Sequence, residues 1–493
     1  MSFANDLKNS TSIGYTDNGS VCLTTSGQYL VDLYATIGGM RTADLRTKTK
    51  AFDLAVGEDK LLAAKILAYG RDVREGLGER DTFRQLIKYA ADKYPEMVLP
   101  NLNLIGYYGR FDDMYALIGT KCEDAMWEAM GKQFKMDLEN MAANKPCSLL
   151  AKWIKTPDAS SKETRRLGIL TSQKLGYKTV GAFKKDLRAL RKYLDIVEIK
   201  VSANSIDTIA YEAVPSNAMK KYRNIFKTKD ADRFAKYLES VAKGEVKINA
   251  NTLYPYDIVK KYIKDSRFGN AKADNVLEAQ WKALPNYVED GTNILIMADV
   301  SGSMTFPDYT PMATSVGLAL YFAERAKGDF HNMFMTFSAR PKLVTVGGVD
   351  VASKINNIMS SDCGMNTDLD QAMSVILETA VKNHTPAEDL PKALVIISDM
   401  QIDYCCRRRD NLFYEYWRDE FAKAGYEIPN IVFWNVNSTE SFHANSNIRG
   451  VQLASGLSVT VFKAVLNGIG MTAFEAMMDV LNRERYDKIT VNE

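Results

Sequence analysis

Asn293-Ile-Leu-Ile-Met-Ala298, followed by Asp299-Val300-Ser301-Gly302-Ser303, is the stretch on which the fold turns. The run from Asn293 to Ala298 is short and apolar, the pattern of a parallel strand buried on both faces. Small polar residues and a glycine come next, so the spacing predicts a tight turn at the carboxyl end of that strand. Asp299, Ser301 and Ser303 fall there at i, i+2 and i+4, and Gly302 permits the close backbone. In open α/β sheets, ligands bind at the carboxyl ends of strands. Carboxylate and hydroxyl oxygens are hard donors, suited to Mg2+, with Mn2+ or Ca2+ as alternatives. The stretch therefore points to one divalent cation.

Working outward, helical patterning over 312–327 is followed by strand-like runs at 332–338 and 342–346. Helices are expected at 350–359 and 368–382, a strand at 393–398, a helix at 411–424 and a strand at 430–436. Strands alternating with helices predict an open, mostly parallel, doubly wound α/β sheet. Two further pieces fit the first loop. Gly364-Met365-Asn366-Thr367-Asp368 opens a helix and offers the Thr367 hydroxyl, and Ser398-Asp399 ends the strand Ala393–Ser398 with a second carboxylate. No activated nucleophile or histidine base accompanies them, so the motif does not imply catalysis. Cys405-Cys406-Arg407-Arg408-Arg409 follows closely, either as a rim to the site or as a solvated turn.

Toward the N-terminus the grammar differs. Residues 1–27 are polar and predict an arm or short strands. From Gln28 to about Ala142 the pattern is helical, with Leu61, Leu62, Ile66 and Leu67 reading as one buried stripe. Breaks are expected at Gly70, Gly76, Gly78, Pro95 and Pro100. Short helices joined in this way predict a HEAT-like α-solenoid of stacked pairs. Between 148 and 245 the helical pattern continues with a basic face: Lys162, Arg165, Arg166, Lys174, Lys178, Lys184, Lys185, Arg188, Arg191 and Lys192, then Lys220, Lys221 and Arg223. Phe183, Leu187, Leu190 and Leu194 make one apolar face among them. Tyr222, Phe226, Phe234 and Tyr237 interleave with the second basic run; such aromatics can stack bases, but at this spacing they read first as core. A polar stretch near 285 sets the boundary, giving an arm (1–27), a helical domain (28–285) and an α/β domain (286–493).

Composition narrows the function classes. With 493 residues, 46% apolar and 25% charged, the chain has the balance of globular domains, and no apolar run reaches the ~18 residues of a membrane span. The six cysteines lack C-x-x-C spacing and read as free thiols of a reducing cytoplasm; the three histidines lack metal-ligand spacing. The net charge of +2 conceals a polarity. Residues 151–230 hold 18 Lys and Arg against 8 Asp and Glu, a net of +10, whereas 231–493 hold 27 against 33, a net of −6. A basic segment of this kind suits a polyanion.

Asp299, Ser301, Ser303, Thr367 and Asp399, in this order and context, resemble the D-x-S-x-S…T…D set of the von Willebrand A family, the metal-ion-dependent adhesion site. That resemblance implies one bound divalent ion with an open position for a partner's acidic oxygen. A helical region preceding such a domain resembles the Ro (TROVE-domain) RNA-binding proteins, and more closely a Ro-like branch of bacteria and phages. The second resemblance is carried by Leu150–Ile154, Ser160–Lys162, Leu190–Asp195, Val214–Ser216, Met219–Arg223, Lys247–Ala250 and Leu253–Asp257. It implies a ring of helical repeats closed by the von Willebrand A domain, and cytoplasmic binding of small structured or single-stranded RNA on the basic region. The expectation is thus a non-enzymatic RNA-binding protein. Alternatives are an adaptor that grips an acidic partner through the metal and a structural component of a larger particle.

Overall fold

The computed structural model describes residues 12–266, 271–288, 293–336, 340–360, 368–403, 412–437, 441–458 and 460–492. A hairpin of β1 (Ile13–Tyr15) and β2 (Val21–Leu23) opens the described chain, with Ile13 opposite Leu23. Helices follow, from Tyr29–Thr36 to Asn275–Lys282. Then comes a six-stranded sheet built from β3 (Ile294–Ala298), β4 (Met333–Thr336), β5 (Leu343–Thr345), β6 (Ala393–Ser398), β7 (Asn430–Asn435) and β8 (Val451–Ser455). The architecture is a helical region followed by a doubly wound α/β unit, as the alternation of patterns predicts.

The strand order is β5-β4-β3-β6-β7-β8, with every pairing parallel except that of β5 with β4. The central strands β3 and β6 are buried along their whole length, which is why both read as unbroken apolar runs. The chain leaves β3 toward β4 on one side and later returns to β6 on the other. The crevice between the carboxyl ends of β3 and β6 is therefore the topological switch point, where open sheets place their ligands. Strand β8 was not expected; its five residues lie in a stretch with no long apolar run.

The helical region departs from and returns to the α/β unit. Near its start, helices Tyr29–Thr36 and Lys60–Arg71 pack against helix Ala473–Leu481, and Tyr29–Thr36 also packs on β8. Gly38 makes that approach possible: a Cβ there would lie 2.7 Å from the backbone of Gly456. Near its end, helix Pro255–Ser266 packs on helices Thr310–Arg325 and Val351–Ser360. The Trp281 indole N–H donates to Glu324 Oε2 at 2.7 Å. The path of the chain is thus closed. One apolar core runs from Leu23 to Ile489 through both parts, and a second, separate core (Ile206, Tyr211, Met219, Phe226, Phe234, Ile248, Val276) serves the helices between.

Some local expectations change. In helix Lys60–Arg71 the buried stripe is Ala63, Ile66, Leu67 and Gly70, while Leu61 is 39% exposed. Gly70 does not break that helix; it lies within it, where a Cβ would meet Ile37 at 2.9 Å. Cys22, Cys122 and Cys147 are free thiols; Cys363, Cys405 and Cys406 lie outside the described residues. Among the described residues no helix is long and apolar enough to cross a membrane.

Candidate metal centre and basic face

The register of the sheet builds the candidate metal centre. Ala298 pairs with Ile397 across β3 and β6, so the next residues, Asp299 and Ser398, are neighbours. The Ser398 hydroxyl donates to Asp299 Oδ2 at 2.7 Å, and the Ser301 amide donates to Asp299 Oδ1 at 2.8 Å. The hydroxyls of Ser301 and Ser303 are 3.0 Å apart, and Ser303 also hydrogen-bonds the Asp399 carboxylate. The Gln401 amide donates to Asp399 Oδ1 at 3.1 Å. Between them Met400 adopts φ = 64°, a left-handed conformation that a non-glycine residue holds only when its surroundings fix it. The structure thus brings Asp299, Ser301, Ser303 and Asp399 together. Thr367 and Arg407–Arg409 lie outside the described residues.

Asp299 and Asp399 are each only 2% exposed, and Ser303 and Gly302 stand exposed at the mouth. Burial, with the charge of Asp399 added, pushes the Asp299 carboxyl up to about 6. Burial raises Asp399 as well. Two buried carboxylates side by side repel. A hard divalent cation reverses the sign of that interaction, so the donor set fits the ion expected from sequence. Among the described residues no group of three or more His, Cys, Asp or Glu is placed to hold a metal; the donors gathered here are two carboxylates and two hydroxyls.

Sequence reasoning missed two partners. Ser398 was visible only as the residue before Asp399, and its role follows from strand register. The short strands expected over residues 1–27 are present, but the contact of their turn with the site was not legible. The turn's Asp17 amide donates to Gln401 Oε1 at 2.6 Å, Asn18 Nδ2 to the Gln401 carbonyl at 2.8 Å, and the Thr16 hydroxyl to the Ile402 carbonyl at 2.8 Å. Gly19 forms a β-bridge with Asp403. No local sequence signal links residues almost 400 positions apart.

The basic residues separate into two groups. On helix Val180–Tyr193, Phe183, Leu187 and Leu190 face the core, while Lys185, Arg188 and Lys192 are exposed and, among the described residues, take part in no ion pair. Lys162, at the start of helix Lys162–Lys174, is also exposed without one. Others are engaged within the protein. Lys184 pairs with Asp158 at 2.9 Å, Arg166 with Glu163 at 2.8 Å, and Lys174 with Asp124 at 3.4 Å. Arg165 Nε donates to the Ala159 carbonyl at 3.0 Å. Arg191 is half-buried, and its guanidinium donates to the carbonyls of Ala151 and Ile154 at 2.9 and 2.8 Å. In the second run Lys220 pairs with Asp257 at 2.5 Å and Arg223 with Asp274 at 3.0 Å. Lys221 is exposed and lies over the Tyr222 ring. Phe226, Phe234 and Tyr237 are buried around Tyr211, which fits their reading as core.

Comparison with known proteins gives the following. Residues 293–492 match a family model described as "Domain of unknown function (DUF7788)", and residues 147–294 one described as "Domain of unknown function (DUF2828)". The chain is 25% identical over 524 residues to "Uncharacterized protein L728" of Acanthamoeba polyphaga mimivirus, covering 97% of this chain and 89% of that one. Among solved structures it is similar to the Ro (RSR) protein of Deinococcus radiodurans, with 14% identity, 94% coverage of both chains and a TM-score of 0.40. A likeness of that size carries no argument about function, and the fold described above stands on its own strand order and register.

Proposed function

We propose that the chain is a non-enzymatic RNA-binding protein that carries a divalent-cation docking site. The observation supporting RNA is the set of exposed cations on the helical region, Lys162, Lys185, Arg188 and Lys192, which among the described residues take part in no ion pair, within a segment of net charge +10. Backbone phosphates are the ligand such a face suits, and binding to them is weakly sequence-specific and salt-dependent. The sequence resemblance to Ro proteins points the same way. Lys221 extends the face; Lys184, Arg191, Lys220 and Arg223 serve the fold first. In the α/β unit Asp299, Ser301, Ser303, Asp399 and Thr367 would hold Mg2+. When bound, that ion offers an open position to an oxygen anion.

Affinity for a fluorescent single-stranded RNA, measured across a salt series, tests the reading. Contact with about three phosphates predicts roughly a 15-fold loss between 50 and 200 mM salt. The triple variant Lys185→Gln, Arg188→Gln, Lys192→Gln is expected to bind about 10-fold or more weakly at low salt. Salt-independent affinity, or an unchanged triple variant, overturns the proposal.

A second reading is favoured by the mouth of the metal centre, where Ser303 and Gly302 are exposed above buried carboxylates. The site then grips an acidic side chain of a protein partner. Such a partner is lost on adding chelator or in Asp299→Ala, while RNA affinity is retained in both conditions.

A further inference from the structure

The turn between β1 and β2 lies on the loop that carries Asp399. Three hydrogen bonds tie Thr16, Asp17 and Asn18 to Gln401 and Ile402, and a β-bridge joins Gly19 to Asp403. Gln401 is the connecting residue: its amide donates to Asp399 Oδ1, while its side-chain oxygen accepts from the Asp17 amide. The turn therefore fixes the segment that orients one of the two buried carboxylates. Below it, Leu23 and Phe442 exchange backbone hydrogen bonds at 2.7 and 3.0 Å, which anchors the hairpin to the same unit.

A cation held between Asp299 and Asp399 fixes the position of the Asp399 carboxylate, and through the Gln401 amide the segment on which the turn docks. Linkage then requires the converse: a docked hairpin tightens the hold on the ion.

We propose that the N-terminal hairpin belongs to the cation site, with Gln401 and Asn18 as positioning residues, so that docking of the Thr16–Ser20 turn and binding of the ion stabilise each other. The idea rests on the metal reading above and adds to it a segment that neither the motif nor the sheet supplies.

The test uses the full chain. Calorimetric titration with MgCl2 is compared for wild type, Asn18→Ala and Gln401→Ala, with Asp299→Asn as the variant that removes a ligand. Hydrogen exchange at the amides of Asp17, Gly19 and Leu23 is followed in MgCl2 and in chelator. Asn18→Ala and Gln401→Ala are each expected to weaken Mg2+ binding about 5-fold, the lower end of measured couplings between sites. Exchange at the three amides slows with Mg2+ in wild type and is indifferent to it in Asp299→Asn. Wild-type affinity in both variants, with exchange that ignores Mg2+, overturns the coupling while leaving the metal site intact. A wild-type chain that takes up no Mg2+ overturns the metal reading itself, and the coupling with it.

Discussion

At the scale of single residues, Asp299 carries most of the chemistry. Its carboxyl stands at about 6, against 3.8 for the ordinary group, because burial and Asp399 both disfavour the charged form. A carboxyl raised in the folded state contributes stability below its unfolded pKa and loses it as pH rises through the folded one. In chelator, ionisation of Asp299 is therefore expected to destabilise the protein progressively from about pH 4 to above pH 6. Asp299→Asn removes that loss, so in chelator its melting temperature is expected to exceed that of wild type at pH 7 and not at pH 4. With saturating Mg2+ the order at pH 7 reverses, since wild type alone gains the ion. A melting series at both pH values, with and without Mg2+, checks this; an order at pH 7 unaffected by Mg2+ would count against the metal centre. The oxygen donors that the fold brings together were legible in sequence because the spacing i, i+2, i+4 after a strand is a local pattern. The Ser398 hydrogen bond was not, since it depends on which strand lies beside β3.

At the scale of an element, helix Val180–Tyr193 shows how a basic run divides into structural and free cations. Successive side chains turn by about 100°. Taking the centre of the Phe183, Leu187 and Leu190 stripe as reference, Arg191 and Lys184 fall about 80–100° to one side, at its border, and Arg188, Lys192 and Lys185 about 140–200° away. The border residues meet protein: Arg191 the carbonyls of Ala151 and Ile154, Lys184 the carboxylate of Asp158. The far residues meet solvent. Arg191→Ala is therefore expected to lower stability by about 3 kcal/mol, from two charged hydrogen bonds to carbonyls. Its effect on RNA affinity should be smaller than that of Arg188→Gln. Urea denaturation and RNA titration of both variants separate the roles, and an Arg191→Ala protein that is fully stable but weak in RNA binding would contradict this assignment. The helix and its apolar face could be read from periodicity; the partners of its border cations could not, because they lie on other helices.

At the scale of the whole molecule, closure of the chain rests on a buried clasp. Asp72, in the turn after helix Lys60–Arg71, is fully buried; Arg485 Nη2 donates to its Oδ1 at 2.6 Å and the Tyr486 hydroxyl to its Oδ2 at 3.1 Å. Nearby, the Tyr108 hydroxyl donates to the Arg485 carbonyl at 2.7 Å and Lys65 Nζ to the Leu481 carbonyl at 3.0 Å. Removing Arg485 strands a carboxylate in the core. Arg485→Ala is expected to cost about 3–5 kcal/mol, the usual penalty for one half of a buried pair. Equilibrium denaturation of that variant checks it, and a loss below about 1 kcal/mol would mean that the contact does not hold the first helices to the last.

By itself the sequence determined what is local and periodic: the strands β3 and β6, the helices between them, the amphipathic face over 183–190, and four oxygen donors at strand ends, with Thr367 as an expected fifth. These are set within a few residues, where hydrophobic period and turn chemistry act directly. Tertiary structure decided what depends on chain closure: strand β8, the docking of helix Tyr29–Thr36 through Gly38, the burial of Asp72 against Arg485, and the hairpin turn on the Asp399 loop. The last three join residues hundreds of positions apart, and β8 lies beside β7 only in the folded sheet; such pairing and close approach leave no periodic trace in the chain. For the candidate metal centre, the oxygen donors were legible in sequence, and the fold decided that the two carboxylates are buried together.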